Sequence, residues 1–228
     1  MENEIDTNTQ ADTNENVIKF TVEQMETLLN AQESLNRQYT SEEWRRKVPL
    51  TSLIAANMAE LGELLESSPR IGDMNSENEN NGWKWWKTYL ENDDKNNKVE
   101  IVDIIHFSLS VLLHLHGSPE DVLNAYKDIA DKIQDIPGEE KMYSLLVRIS
   151  MFNVTALTNP GETIVFFLYL VDALSKYADF EVDEMFEIYK KKNSLNLERI
   201  EGGYTDSADS YEKYDENGEE DNMKMFED

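Results

Sequence analysis

Residues 99 to 115, Val-Glu-Ile-Val-Asp-Ile-Ile-His-Phe-Ser-Leu-Ser-Val-Leu-Leu-His-Leu, have helical spacing and are apolar nearly all round, so they form a buried helix. Glu100 and Asp103 nevertheless sit one turn apart on one side of it. Desolvating ionised carboxylates is costly unless a cation pairs with them. A second pair at the same spacing, Glu60 and Glu63, lies upstream in Asn-Met-Ala-Glu-Leu-Gly-Glu-Leu-Leu-Glu. If the two helices face each other, four carboxylates build an oxygen-rich site suited to Mg²⁺, which favours carboxylates together with substrate phosphates. An Arg or Lys salt bridge could satisfy Glu100 and Asp103 without any metal, and Glu66 is either a supporting or an exposed carboxylate.

Periodicity predicts helices along the whole chain. Val22, Met25, Leu28, Leu29, Gln32, Leu35 and Asn36 share one face of a first helix, with Thr21 as its cap. Others cover about 51–66, 97–116, 119–135, 139–157, 161–178 and 182–201, separated by Gly117 with Pro119, Pro137-Gly138, Asn159-Pro160-Gly161 and Gly202-Gly203. With no alternating strand pattern, the expected fold is an all-α helical bundle. The expected organisation is an acidic, disordered tail over 1–20, one catalytic domain over 21–204 with a polar loop insert at 67–82, and an acidic C-terminal segment over 205–228 that closes over phosphates.

The formal charge is −26. Residues 1–16 carry five acids and no base, and 205–228 carry ten acids and two lysines, so half of that charge sits at the two ends. No basic stripe exists to hold a nucleic acid polymer, and anionic membranes are repelled. A small polyphosphate can still bind where metal ions and a few placed cations overcome the surrounding field. The absence of cysteine excludes disulfides, thiolate nucleophiles and Cys-based zinc sites. The acidic, polar start Met-Glu-Asn-Glu-Ile-Asp has neither secretory nor transit character, and Glu100, Asp103 and His106 interrupt the apolar run short of a membrane span, so the expected compartment is the cytoplasm.

Near the C-terminus, Lys192, Asn196 and Arg199 recur at i, i+4 and i+7, aligning an ammonium, an amide and a guanidinium on one stripe that either grips a polyphosphate or is simply a solvated helix face. Gln32 and Asn36 share a face and offer donors and acceptors to a planar base. Trp83 and Trp86 are core anchors or pocket walls. His106, one turn beyond Asp103, reads as a core or supporting residue, while His114 and His116 read as structural.

Taken in order, Glu60-x-x-Glu63, Trp83-Lys84-Trp85-Trp86-Lys87, Glu100-Ile-Val-Asp103-Ile-Ile-His106-Phe107 and Lys192-Asn-Ser-Leu-Asn196-Leu-Glu-Arg199 resemble the all-α dimeric dUTPases, part of the wider all-α nucleoside triphosphate pyrophosphohydrolases. Gly203-Tyr204 and the Gln32–Asn36 pair extend the likeness over roughly 22–222. The resemblance implies Mg²⁺-dependent hydrolysis of dUTP and dUDP to dUMP by a homodimer. It assigns two or more Mg²⁺ ions to Glu60, Glu63, Glu100 and Asp103, with Glu63 orienting or deprotonating the attacking water. It assigns the phosphates to Lys192, Asn196, Arg199 and Lys213, the uracil to Gln32, Asn36, Trp83 and Trp86, and supporting roles to His106 and Asn96. The family passes almost directly from the first carboxylate helix to its tryptophan cluster, whereas this chain inserts about a dozen polar residues there. The competing readings are a related pyrophosphohydrolase with another nucleotide preference and a noncatalytic helical protein that engages a partner through its acidic tail or residues 67–82.

Overall fold

In the computed structural model, described over residues 17–69, 83–84, 91–134, 141–203 and 221–226, a 23-residue helix, α4 (Asp94–His116), runs through the middle of a helical bundle. Around it stand α1 (Val22–Tyr39), the single turn α2 (Trp44–Lys47), α3 (Leu50–Ser67), α5 (Pro119–Ala130), α6 (Lys141–Thr158), α7 (Thr163–Ala178) and α8 (Val182–Glu201). No strand occurs among the described residues. Helices α1, α3, α5, α7 and α8 pack against α4, whereas α6 pairs chiefly with α7 on the outside.

Local signals fix the helix ends. Thr21 and Gln24 form a reciprocal capping box at the start of α1. The Asp93 carboxylate caps α4, and Gly117, at φ +90°, ends it in a left-handed conformation that side-chain-bearing residues rarely adopt. Ser118 then caps α5, with Pro119 in its first turn.

By length and composition α4 could cross a membrane, contrary to the expectation that its polar residues make it too short, but 72% of its apolar window is buried inside the bundle. Its lining explains this. Val99, Ile101, Val102, Ile104, Ile105, Leu109, Val111, Leu112 and Leu113 are all fully buried. One polar stripe interrupts them, made of Asn97, Glu100, Asp103, His106 and Ser110 at spacings of three and four.

Helices α3 and α4 are antiparallel, because Asn57 Nδ2 donates to Ser108 Oγ (3.1 Å) while, further along α3, Ser67 Oγ donates to Asn97 Oδ1 (2.7 Å). One turn inward from those ties, Glu60 and Glu63 come opposite Asp103 and Glu100. The register thus delivers the juxtaposition that the two Glu/Asp spacings predict.

Four boundaries differ from expectation. The N-terminal tail stops short of residue 17, since Val17 and Phe20 are buried, Ile18 N–H donates to Asp172 Oδ1 (2.8 Å) and Tyr126 donates to Phe20 C=O (2.6 Å). The polar insert begins later than 67: Ser67 ends α3, and Ser68 is buried with its hydroxyl 2.8 Å from Tyr177 Oη. Helix α5 ends at Ala130 instead of running on to 135. Turn α2 was not anticipated, being too short for a periodic signal; Glu33, buried on α1, holds it through Arg45 (3.0 Å to Nη1) and the Trp44 indole.

Candidate active site

A cavity of about 380 Å³ opens where α1, α3, α4 and α8 meet, and residues from all four helices line it. Glu60 and Glu63 come from α3, Glu100, Asp103 and His106 from α4, Lys192, Asn196 and Arg199 from α8, and Gln32 and Asn36 from α1. Four motifs far apart in sequence therefore share one space. Leu35, which spacing puts on the Gln32 face of α1, joins Tyr39, Leu53 and Phe107 in an apolar wall.

Carboxylate oxygens of Glu60, Glu63 and Glu100 all lie within 4.8 Å of one another. Burial, reinforced by the charges of Asp103 and Glu63, pushes the Glu60 carboxyl up to about 7. Burial and the charges of Asp103, Glu63 and Glu60 push Glu100 up to about 8. Such a cluster of hard oxygen donors, mutually repelling and running from buried Glu100 to exposed Glu63, fits a divalent cation such as Mg²⁺. Asp103 lies beside the trio, close enough for its charge to act on Glu60 and Glu100. Its carboxylate accepts from Lys192 Nζ at 2.8 Å, so here it is paired with one of the predicted phosphate ligands.

The cationic stripe on α8 is buried, contrary to the solvated-face reading. Lys192, Asn196 and Arg199 are each less than a tenth exposed. Arg199 Nη1 donates to Asn196 Oδ1 (3.2 Å), and its Nε donates to Asp221 Oδ2 (3.2 Å). Arg199 Nη2 donates to Asp221 Oδ1 and to Asn222 Oδ1, the latter at 2.9 Å, and Lys192 Nζ also donates to Asn222 Oδ1 (2.9 Å). Asp221 and Asn222 open a short 3₁₀ helix, Asp221–Phe226, which the sequence reading missed. The signal for it was the apolar trio Met223, Met225 and Phe226 interrupting an acidic run. Met225 is buried, and its carbonyl accepts from Lys191 Nζ (2.8 Å).

On the α1 side, Gln32 is saturated. Its Nε2 donates to Asn36 Oδ1 (2.9 Å) and Ser110 Oγ (2.9 Å), and its Oε1 accepts from Tyr189 Oη (2.6 Å) and faces His106 Nδ1 (2.6 Å). Two donors and two acceptor sites exhaust a primary amide. In this arrangement every hydrogen-bonding site of Gln32 is taken within the protein, so it fixes its neighbours. Because Oε1 can only accept, His106 Nδ1 carries the proton; burial, with the Lys192 charge as the lesser cause, holds that imidazole well below its usual value and therefore neutral. Its ring stacks on Tyr189 with centroids 4.0 Å apart, and its buried Nε2 has no partner among the described residues.

Two expected site residues fall elsewhere. Trp83 donates its indole N–H to Leu65 C=O (2.8 Å), packs against the core under Lys84 and does not line the cavity. Asn96 lies in the first turn of α4, where its backbone N–H takes the Asp93 cap (2.9 Å). One residue on, Asn97 occupies the stripe three positions before Glu100 and ties α4 to Ser67, the supporting place the reading gave to Asn96. Trp86 and Lys213 lie outside the described residues. His114 is a wall residue, edge-on to Trp44 at 6.1 Å.

Comparison with curated proteins finds no match. Comparison with protein families finds one described as dUTPase, whose pattern matches residues 24–204, well over half of the 228-residue chain and reaching from within α1 to beyond α8. With that match and an all-helical fold that gathers its motifs into one cavity, the chain belongs to the all-α dUTPase family.

Proposed function

We propose that this dUTPase converts dUTP, and also dUDP, to dUMP with Mg²⁺ held by Glu60, Glu63, Glu100 and Asp103, and that it works as a homodimer. The single observation carrying the reading is the facing of a carboxylate cluster and a buried Lys-Asn-Arg stripe across one cavity. Carboxylates alone would repel a triphosphate, and cations alone would not gather metal. Mg²⁺, when bound, neutralises polyphosphate charge and lowers the pKa of water.

The chain's own residues supply the rest. Because dUTP and dUDP share the product dUMP, the bond broken is the bridge between the α and β phosphorus atoms, and pyrophosphate or phosphate leaves. Glu63, the exposed member of the carboxylate cluster, takes the proton of the attacking water. Lys192, Asn196 and Arg199 receive the charge that builds on the departing oxygens. The Asp103–Lys192 pair holds both side chains at the cavity, where Lys192 would hold a substrate phosphate and Asp103 would hold the cation. Base contacts fall to Asn36, whose orientation Gln32 and Ser110 set. Asn222, already shared by Lys192 and Arg199, brings the C-terminal segment to the phosphate end.

Pyrophosphate release from dUTP, dTTP, dCTP and UTP tests the assignment. A Mg²⁺-dependent preference for dUTP is expected, and preference for another nucleotide would transfer the reading to a related pyrophosphohydrolase. Substituting Lys192→Ala removes a charge-assisted hydrogen bond, worth about 1.5–3 kcal/mol. The KM for dUTP should therefore rise roughly tenfold to a hundredfold in steady-state kinetics.

A further inference from the structure

The two cations of α8 that line the cavity carry oxygen atoms from the C-terminal 3₁₀ helix, Asp221–Phe226. The Arg199 guanidinium holds the Asp221 carboxylate through Nε (3.2 Å to Oδ2) and Nη2, the side-on fork in which arginine grips carboxylate and phosphate alike. Beside it, Asn222 Oδ1 bridges Arg199 Nη2 and Lys192 Nζ, each at 2.9 Å. What these donors receive are oxygens set close together, the same atoms a phosphoryl group would offer them. Asn222 itself lines the cavity, so the contact lies at the site and not behind α8.

The rest of the short helix is an anchor. Met225 is buried and its carbonyl accepts from Lys191 Nζ (2.8 Å), Met223 and Phe226 pack against the core, and Lys95 Nζ lies 5.8 Å from the centroid of the Phe226 ring. Apolar residues thus hold the strap down, while Asp221 and Asn222 ahead of them meet the cations. The family pattern ends at residue 204, so the match does not account for this strap. An edge of a guanidinium takes one oxyanion side-on, and Asp221 already takes the Nε–Nη2 edge of Arg199. We propose that Asp221 is a built-in competitor of the substrate's phosphates: a polyphosphate binds by displacing the Asp221 carboxylate from Arg199, and the strap thereby weakens the apparent affinity for nucleotide. Strap and site belong to one chain, so the competition is intramolecular and independent of protein concentration. Nucleotide binds fully only to molecules in which Asp221 has left Arg199, and the apparent dissociation constant rises as that fraction falls. The proposal rests on the reading of the α8 stripe as the phosphate grip and adds that the chain occupies this grip itself.

Hydrogen exchange of peptides covering 221–226, measured on the full chain with Mg²⁺ alone and with Mg²⁺ and pyrophosphate, gives a readout apart from turnover. Exchange should rise when pyrophosphate is added. A fall would make the strap a clamp that tightens on phosphate, and no change would make Asp221–Arg199 an ordinary structural pair; either overturns the proposal. In kinetics, Asp221→Ala should lower the KM for dUTP by roughly fivefold or more while kcat holds. The gain should vanish when Arg199→Ala is added, because the competitor then has nothing to occupy. Should Asp221→Ala lose its helical circular dichroism, Asp221→Asn, which keeps the shape and drops the charge, is read in the same way. A folded variant whose KM is unchanged or raised also overturns the proposal. Arg199→Ala alone separates the two readings. A raised KM keeps the phosphate assignment whatever Asp221 does, whereas an unchanged KM removes Arg199 from the phosphate grip and takes the competitor with it.

Discussion

Glu100→Gln is expected to abolish dUTP turnover and, in the absence of metal, to make the protein more stable. The two effects have one cause. Glu100 is 5% exposed and faces Glu60 and Glu63, with Asp103 one turn along its own helix, so its ionised form is expensive to hold without a cation. Glutamine keeps the shape and removes both the charge and the hard oxygen donor. Partners that merely orient metal ligands are worth about 10–100-fold. Losing a ligand should therefore lower kcat/KM by more than about a hundredfold. Meanwhile the metal-free melting temperature near pH 8.5 should rise by about 3 °C or more, because roughly 1 kcal/mol moves a protein of this size by 2–4 °C. Turnover assays and thermal melts on the same preparation check both. An inactive variant that is also destabilised would assign Glu100 an ordinary packing role, and an active one would remove it from the cation site.

Much of this arrangement was legible in the chain because the positions that matter are set by helical spacing. The stripe Glu100, Asp103, His106 follows from a period of 3.6 on an apolar helix, and so does the pairing of Gln32 with Asn36. What spacing cannot supply is which partner a side chain has already taken. Gln32 looks like a base reader until Tyr189, His106, Ser110 and Asn36 are found on its amide, and those four come from three helices. Spacing places Asp103 with the other acids but does not show that Lys192, 89 residues away, already holds its carboxylate. The α8 cations look solvated because nothing in α8 itself reveals that Asp221 and Asn222 return to cover them. Asn96 and Asn97 are neighbours in sequence, but one residue on a helix is a rotation of about 100° and so a change of face. The family resemblance named motifs, but each side chain's present partner is a tertiary fact.

Thermal stability should depend on pH and Mg²⁺ together, with the ion stabilising strongly at pH 8.5 and little at pH 5. The sign follows from the two buried carboxyls. Their ordinary value is 4.5, and in the fold Glu60 lies at about 7 and Glu100 at about 8. Between pH 4.5 and 8 the folded chain therefore binds more protons than the unfolded chain, so raising the pH through that window favours unfolding. Below 4.5 both states are protonated and the penalty vanishes; above 8 it is complete. Raising a carboxyl's pKa tenfold in proton affinity costs its ionised form about 1.4 kcal/mol. The loss for buried Glu100 alone thus amounts to several kcal/mol across the window, and Glu60, more accessible to water, adds less. A divalent cation binds the ionised cluster and displaces its protons, which stabilises the fold most where the penalty is largest. Differential scanning calorimetry at pH 5, 7 and 8.5, with and without Mg²⁺, should show a metal-free melting temperature that falls with pH and a Mg²⁺-induced increase that grows with it. In Glu100→Gln both slopes should flatten, since the carboxyl raised furthest is gone and the remaining acids no longer close around the ion. A Mg²⁺ effect equal at all three pH values would place the ion on surface acids, away from the cluster between α3 and α4.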